Sequence, residues 1–210
     1  MTRPATLVFL AGTATDVGKT WWGAALAREL RASGRSVVAR KPVQSGAPGD
    51  TTDADLLAAA TGDDPFRVCP PTRTYDLAWA PPMAARELGA PPFTTADLAG
   101  GIEWPASTDI GLVEGVGGPR SPISDDGDNV DLARLLAPDL VVLVADAGLG
   151  TINAVRLSAD AFGDFAVIVA LNRFGTDPLH ARNLEHLRAV DRYDVVTNPH
   201  DLADRVRLRS

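Results

Sequence analysis

The chain has one cysteine, Cys69, among 210 residues, so no internal disulfide can staple it. That usage suits a reducing compartment, and the thiol reads as a buried packing group rather than a nucleophile. Histidine is scarce too. Of the three, His180 and His186 stand six apart, off-face on a helix, so no metal-ligand pattern forms. Basic residues are outnumbered, 20 against 27 acids, for a net charge of −7. A chain this acidic is a poor candidate for general nucleic-acid binding, which needs clustered Lys and Arg. No stretch approaches the ~18–20 apolar residues of a membrane span. The opening residues show no basic region followed by an apolar signal core. We therefore expect a cytoplasmic protein with neither a nucleic acid nor a membrane as partner. Internal repeats and low-complexity tracts are absent as well.

What is present suits a packed core. Hydrophobic residues make up 45% of the chain, and the length suits one compact domain over 1–210. Residues 6–11 read as a buried strand. A helix follows from Lys19 to Ser33, with Trp22, Leu26 and Leu30 on one face and Gly34 placed to end it. Ser36–Ala39 is a second strand, closed by Pro42. Leu56–Ala59 is helical, with Thr52 as N-cap and Gly62 as stop. Residues 63–92 are proline-rich, an excursion with one short helix from Met83 to Leu88. Thr94 or Thr95 caps another helix through Leu98.

Alternation then resumes. Strands are expected at Ile110–Val113, Leu140–Ala145, Phe165–Leu171 and Tyr193–Thr197. Helices are expected at Asn129–Leu136, Thr151–Phe162 and from Asp177-Pro178 to about Val190. The run at 140–145 is the most apolar, which makes it central. Such alternation predicts an α/β fold: a mostly parallel β-sheet flanked by helices on both faces, P-loop NTPase-like. Ligands of these sheets bind beyond the carboxyl ends of the strands. Lys41, Glu114, Asp146 and Asn172 fall at or just past those ends.

The loop Gly12-Thr13-Ala14-Thr15-Asp16-Val17-Gly18-Lys19-Thr20 organises the rest. It stands between strand and helix, the context in which a Gly-Lys-Thr string cradles phosphate. Five residues separate its glycines, where the usual pattern has four, so it is a variant loop. The helix N-terminus offers unpaired N–H groups, Lys19 reaches the β- and γ-phosphates, and the Thr20 hydroxyl sits on Mg²⁺. Two further pieces carry chemistry. Lys41-Pro42-Val43-Gln44-Ser45-Gly46 places a lysine at a strand's carboxyl end. Val113-Glu114-Gly115-Val116-Gly117-Gly118 places a carboxylate at another strand tip, where Mg²⁺ is held in such folds. Asp53 and Asp55 open the helix after the second strand, as dipole partners or as a further metal carboxylate. The cluster Asp125, Asp126, Asp128 and Asp131 reads as a solvated loop and helix start.

Together these strings resemble the dethiobiotin synthetase family, with its Gly-Thr-x-Thr-x-Val-Gly-Lys-Thr, Lys-Pro-Val-x-Ser/Thr-Gly, Val-Glu-Gly-Ala-Gly-Gly and Leu-Gly-Thr-Ile-Asn motifs. The match runs in order over about residues 6–175, ending with Leu149–Asn153 and Asn172. The resemblance implies that 7,8-diaminononanoate, CO₂ and MgATP give dethiobiotin, ADP and phosphate. A carbamate and then a carbamic–phosphoric anhydride would be the intermediates. It assigns nucleotide binding to Asp16, Val17, Gly18, Lys19, Thr20, Trp21, Asp53, Glu114, Gly117 and Asn172. Mg²⁺ would be held by Thr20, Asp53 and Glu114. Catalysis falls to Lys41, Lys19 and Thr15, and substrate binding to Thr15, Lys41, Ser45, Gly150, Thr151 and Asn153. Asn172 would read adenine. The helix opening at Thr151 would take the substrate carboxylate across a homodimer interface.

Departures are few. Val116 replaces Ala, Gly148 stands where some members carry Lys, and Asn198-Pro199-His200 takes the place of a Gly-x-Ile-Pro loop. Two other readings stay open at this level. One is a P-loop ATPase switch of the partition or septum-site kind, whose loop has an extra lysine lacking at Gly12–Ala14. The other is a catalytically silent paralogue.

Overall fold

The computed structural model describes residues 3–208. Its strands are β1 (Thr6–Gly12), β2 (Val37–Arg40), β3 (Gln44–Ser45), β4 (Thr74–Tyr75), β5 (Ile110–Glu114), β6 (Leu140–Asp146), β7 (Val167–Asn172) and β8 (Asp194–Val196). Its helices are α1 (Lys19–Ala32), α2 (Asp53–Thr61), α3 (Pro65–Val68), α4 (Pro81–Glu87), α5 (Thr95–Gly100), α6 (Asn129–Leu136), α7 (Thr151–Ala161), α8 (Pro178–Ala189) and α9 (Pro199–Arg207).

Six strands form one parallel sheet in the order β2-β5-β1-β6-β7-β8. β1 and β6 lie innermost, and every residue of β1 is buried. Side chains alternate across the sheet. Val8 and Leu10 join a layer with Trp22, Leu26, Leu30, Leu57 and Leu202. Leu7, Phe9 and Ala11 join the opposite layer with Leu98, Leu132 and Phe162. Period-2 strands thus meet period-3.6 helices on both faces. Trp22, Leu26 and Leu30 are fully buried, as their spacing predicts.

The register lines up the strand tips. Leu10 pairs with Glu114, Gly12 with Val144 and Asp146 with Asn172. The phosphate loop, Lys41, Glu114, Asp146 and Asn172 therefore share one edge. Chain direction changes sides at β1, between β5 and β6, where such sheets open a crevice.

Some elements differ from the sequence reading. The proline-rich excursion holds the expected helix as α4, begun two residues early at Pro81, and adds one short helix, α3; Pro65 and Pro81 each sit in a first turn, where the missing N–H costs nothing. It also supplies β4, which pairs in parallel with β3 beside the site. Residues 198–200 form no loop of their own. Asn198 caps α9 by accepting from the Asp201 N–H, and Leu202, Ala203 and Val206 pack against the sheet. That stripe is visible in the chain but lies among charges. The acidic cluster orders backbone. Asp128 and Asp131 form a capping box, while Asp125 and Asp126 accept from Phe93 and Thr95 N–H.

Candidate active site

The phosphate loop leaves β1 and enters α1 through Gly18, whose φ of 94° is left-handed. A Cβ there would lie 2.1 Å from Asn172 Nδ2, so only glycine fits. Asn172 Nδ2 donates to the Val17 carbonyl at 2.9 Å. Its side chain thus supports the loop, while among the described residues its Oδ1 accepts no hydrogen bond. Thr13 N–H is tied to Val144 O at 2.9 Å. Lys19 is buried and leans on Ala14 O at 3.4 Å. Asp16 occupies the left-handed region at φ 58°.

Beside the loop lies a compact charged cluster. Lys41 Nζ donates to Glu114 Oε1 at 2.7 Å, to Gly115 O at 2.9 Å and to Asp53 Oδ2 at 2.8 Å. Thr20 Oγ1 bonds Asp53 Oδ1 at 2.6 Å and Glu114 Oε1 at 2.9 Å. Three segments distant in sequence meet here because β1, β2 and β5 bring their tips together. Asp53 reaches the cluster because Thr52 and Asp55 form the capping box that starts α2. Asp55 is consumed by that cap. Gln44 steadies the same turn, accepting from Ala54 N–H at 3.1 Å and donating to Thr74 at 3.1 Å.

Burial and charge set the protonation. Burial works against Lys41's ammonium, but Glu114 and Asp53 beside it outweigh this and raise its pKa. Burial also opposes ionisation of Asp53, yet the Lys41 charge and hydrogen bonds hold it at about 2. Burial pushes Glu114 up. Desolvation, then the charge of Lys41, lowers Lys19. Glu114 Oε2 is buried and, among the described residues, has no hydrogen-bond partner. An unpaired buried carboxylate oxygen is costly, and a cation would satisfy it. Thr20, Asp53 and Glu114 are all hard oxygen donors. Mg²⁺ is held by one or two carboxylates plus substrate phosphates, so this set fits it.

The turn after β5 is pinned by Asn129. Its Oδ1 accepts from Val116 N–H at 2.9 Å, and its Nδ2 donates to the carbonyls of Val116 and Gly118 at 2.6 and 2.7 Å. A Cβ on Gly115 would meet that Oδ1 at 2.2 Å.

A cavity of about 880 Å³ opens beside the phosphate loop and the charged cluster. Of the residues expected at the site, Thr15, Asp16, Gly18, Lys19, Thr20, Lys41, Ser45, Asp53 and Gly117 line it. Glu114 lies buried against Lys41, and Val17 is buried within the loop. Ser45 donates its hydroxyl to Trp79 O at 2.6 Å. Trp21 is not brought to the cavity: it is 54% exposed, edge-on to Trp22. Gly150, Thr151 and Asn153 also stand outside it, at the start of α7, where the Thr151 hydroxyl is buried without a partner among the described residues. Sequence reasoning missed Gln44, Asn129, Trp79 and Arg173. Gln44 lay inside a quoted motif; the others carry no local signal.

Known proteins resemble this chain in sequence and in fold. A family model described as an AAA domain matches residues 6–198. The chain is 42% identical over 157 residues to an ATP-dependent dethiobiotin synthetase of Anaeromyxobacter sp. (strain Fw109-5), covering 73% of this chain and 69% of that protein. It is 34% identical over 211 residues to the enzyme of that name from Anaeromyxobacter dehalogenans (strain 2CP-1), covering 95% and 93%. Among solved structures, a plasmid partition protein from Borrelia burgdorferi B31 bound to AMPPNP matches with a TM-score of 0.60, at 11% identity over 99% of both chains. A DUF1611 family protein from Anabaena variabilis matches at 0.59, with 20% identity over 98% of this chain and 58% of that one. The structural likenesses are of fold, and that fold is P-loop NTPase-like.

Proposed function

The chain belongs to the ATP-dependent dethiobiotin synthetase family, and from that premise we propose how its own residues carry the reaction. It is an enzyme that uses ATP to form dethiobiotin in biotin biosynthesis, and its substrates are small molecules. The reaction we assign takes 7,8-diaminononanoate and CO₂. A carbamate forms on one amine, and its oxygen attacks the γ-phosphorus of ATP while ADP leaves. The second amine then attacks the carbamoyl carbon of the resulting anhydride, closes the cyclic urea and expels phosphate.

The observation that carries this reading is the cluster of Thr20, Lys41, Asp53 and Glu114 beside the phosphate loop. Phosphoryl transfer asks for positioning and charge neutralisation more than for covalent help. The N–H groups at the start of α1 and the Lys19 ammonium would hold the phosphates. Thr20, Asp53 and Glu114 would hold Mg²⁺. When bound, it would offset phosphate charge as a Lewis acid. Lys41 would stabilise the carbamate and the charge growing on the transferred group. Thr15 and Ser45 would hydrogen-bond the carbamate end of the substrate. Asn172 Oδ1 would accept from an adenine amino group. The carboxylate tail would meet the Gly150–Asn153 helix start of a second copy, so we expect a homodimer. We assign the reaction to the cytoplasm, in one working domain without a nucleic-acid partner. No helix among the described residues is long and apolar enough to cross a membrane.

The test is a coupled assay of ADP release with MgATP, bicarbonate and the diamine, omitting each in turn. ADP release that needs all of them, with a cyclic urea identified by mass spectrometry, is the expected result. Hydrolysis that ignores the diamine would overturn the mechanism.

A further inference from the structure

Arg173 follows directly on β7 and borders the cavity. Its backbone is left-handed, φ 54°, which a residue with a Cβ adopts only when its surroundings compel it. The guanidinium explains the compulsion. Nη2 donates to the Asp16 carbonyl at 2.8 Å, and Nη1 donates to Asp146 Oδ2 at 2.7 Å. Asp16 is itself left-handed, at φ 58°. Two strained residues are thus held to each other across the top of the sheet.

The far end of this link is firmly seated. Asp146 Oδ1 accepts from Gly148 N–H at 2.8 Å. Asn183, a buried residue of α8, donates to the carbonyls of Ala147 and Gly148, each at 2.9 Å. Ala147 N–H donates to Asn172 O at 3.0 Å. The segment 146–150, which opens α7, is therefore fixed from beneath. Among the described residues, no other side chain bonds both this segment and the phosphate loop. A guanidinium suits such a bridge because its planar fork makes two bonds in set directions, which an ammonium cannot copy.

We propose that Arg173 is a positioning residue for the phosphates of ATP. It acts through the Asp16 carbonyl, holding the left-handed turn that aims the loop's N–H groups, and it ties that turn through Asp146 to the segment opening α7. The inference rests on the reading of Gly12–Thr20 as the ATP site. A loop that must first be ordered weakens nucleotide binding in the ground and transition states alike. Loss of the bridge therefore raises KM for ATP and spares kcat.

The experiment measures MgATP binding by calorimetry, steady-state kinetics and backbone amide exchange. The proteins are the unaltered enzyme, Arg173→Ala, Arg173→Lys and Asp146→Asn. In Arg173→Ala we expect Kd and KM for ATP to rise about tenfold, the scale of one charge-assisted hydrogen bond, with kcat within about twofold. Amides of residues 13–18 and 147–151 should exchange faster together. Lysine should recover only part of the affinity, and Asp146→Asn should weaken it by about threefold, since a neutral partner still accepts. Full recovery by lysine, an unchanged KM, or a loss confined to kcat would each overturn the proposal. If the unaltered enzyme binds no ATP, the ATP reading itself falls. If it binds ATP and Arg173→Ala binds equally well, only the role of Arg173 falls.

Discussion

Two cation–carboxylate contacts stand on the same edge of the sheet and have nearly the same length. Lys41 meets Glu114 at 2.7 Å with side-chain exposures of 2% and 0%. Arg173 meets Asp146 at 2.7 Å with exposures of 58% and 46%. Distance does not separate them; surroundings do. An exposed pair gains little, because water solvates both partners apart, and its median worth is about 0–1 kcal/mol. A buried pair has lost that alternative, so removing one partner strands the other and costs about 3–5 kcal/mol. The lesson is that the same contact serves two ends. Around Lys41 the charges are poised for chemistry and their burial makes each depend on the others. Around Arg173 the geometry of a loop is at stake, not the energy of the ion pair.

The largest effect should come from breaking the buried side. Lys41→Ala is expected to lower turnover about 10²–10³-fold, the scale of losing a group aimed at transition-state charge. ATP affinity should change by less than about threefold. The same variant should lose about 3–5 kcal/mol in urea denaturation, because Glu114 is left buried and unpaired. Pairing Lys41→Met with Glu114→Gln should recover much of that stability without recovering turnover. Equal losses of ATP affinity and turnover in Lys41→Ala would move Lys41 from the reaction to simple binding.

A middle-sized effect should appear on acidification. Folding brings the Asp53 carboxyl from its ordinary 3.8 to about 2. Its stabilisation is then complete above pH 3.8 and is lost as pH falls through about 2. Urea midpoints followed through that interval should fall more steeply for the unaltered protein than for Asp53→Asn. Parallel curves would show that Asp53 gains nothing from Lys41 on folding.

The smallest effect sharpens the exposed side. Asp146→Asn should change unfolding free energy by less than about 1 kcal/mol. Whatever difference there is should shrink at 1 M salt, where the screening length falls to about 3 Å. The deficit of Lys41→Ala should persist there, since salt does not enter a buried site. A large, salt-resistant cost for Asp146→Asn would erase the contrast between the two pairs.

Legibility in the chain followed the range of the signal. The phosphate loop, Lys41 and Glu114 were readable because each sits in a short string where glycines, an apolar strand and the charged residue are neighbours. The helix from Lys19 declared itself through Trp22, Leu26 and Leu30. Residue chemistry alone leaves Asp53 and Asp55 alike, and the family resemblance picks Asp53. The fold separates them, because the capping box with Thr52 takes Asp55 and leaves Asp53 to Lys41. Trp21, carried in with a motif, faces away once the turn of α1 is set by its neighbour's burial. The last helix was missed because its short apolar stripe lies among aspartates and arginines.

The amino-acid order by itself determined the alternation of strands and helices, the phosphate loop and the acid and lysine at strand tips, since these depend on contacts within a few residues. Only the tertiary structure decided the strand order β2-β5-β1-β6-β7-β8, and with it which tips are neighbours. Asn129 beneath Gly115, Gln44 behind α2 and Arg173 across to Asp16 exist as functional groups only after that order is in place. The physical reason is that a hydrogen bond is specific to about 3 Å in space but blind to separation along the chain.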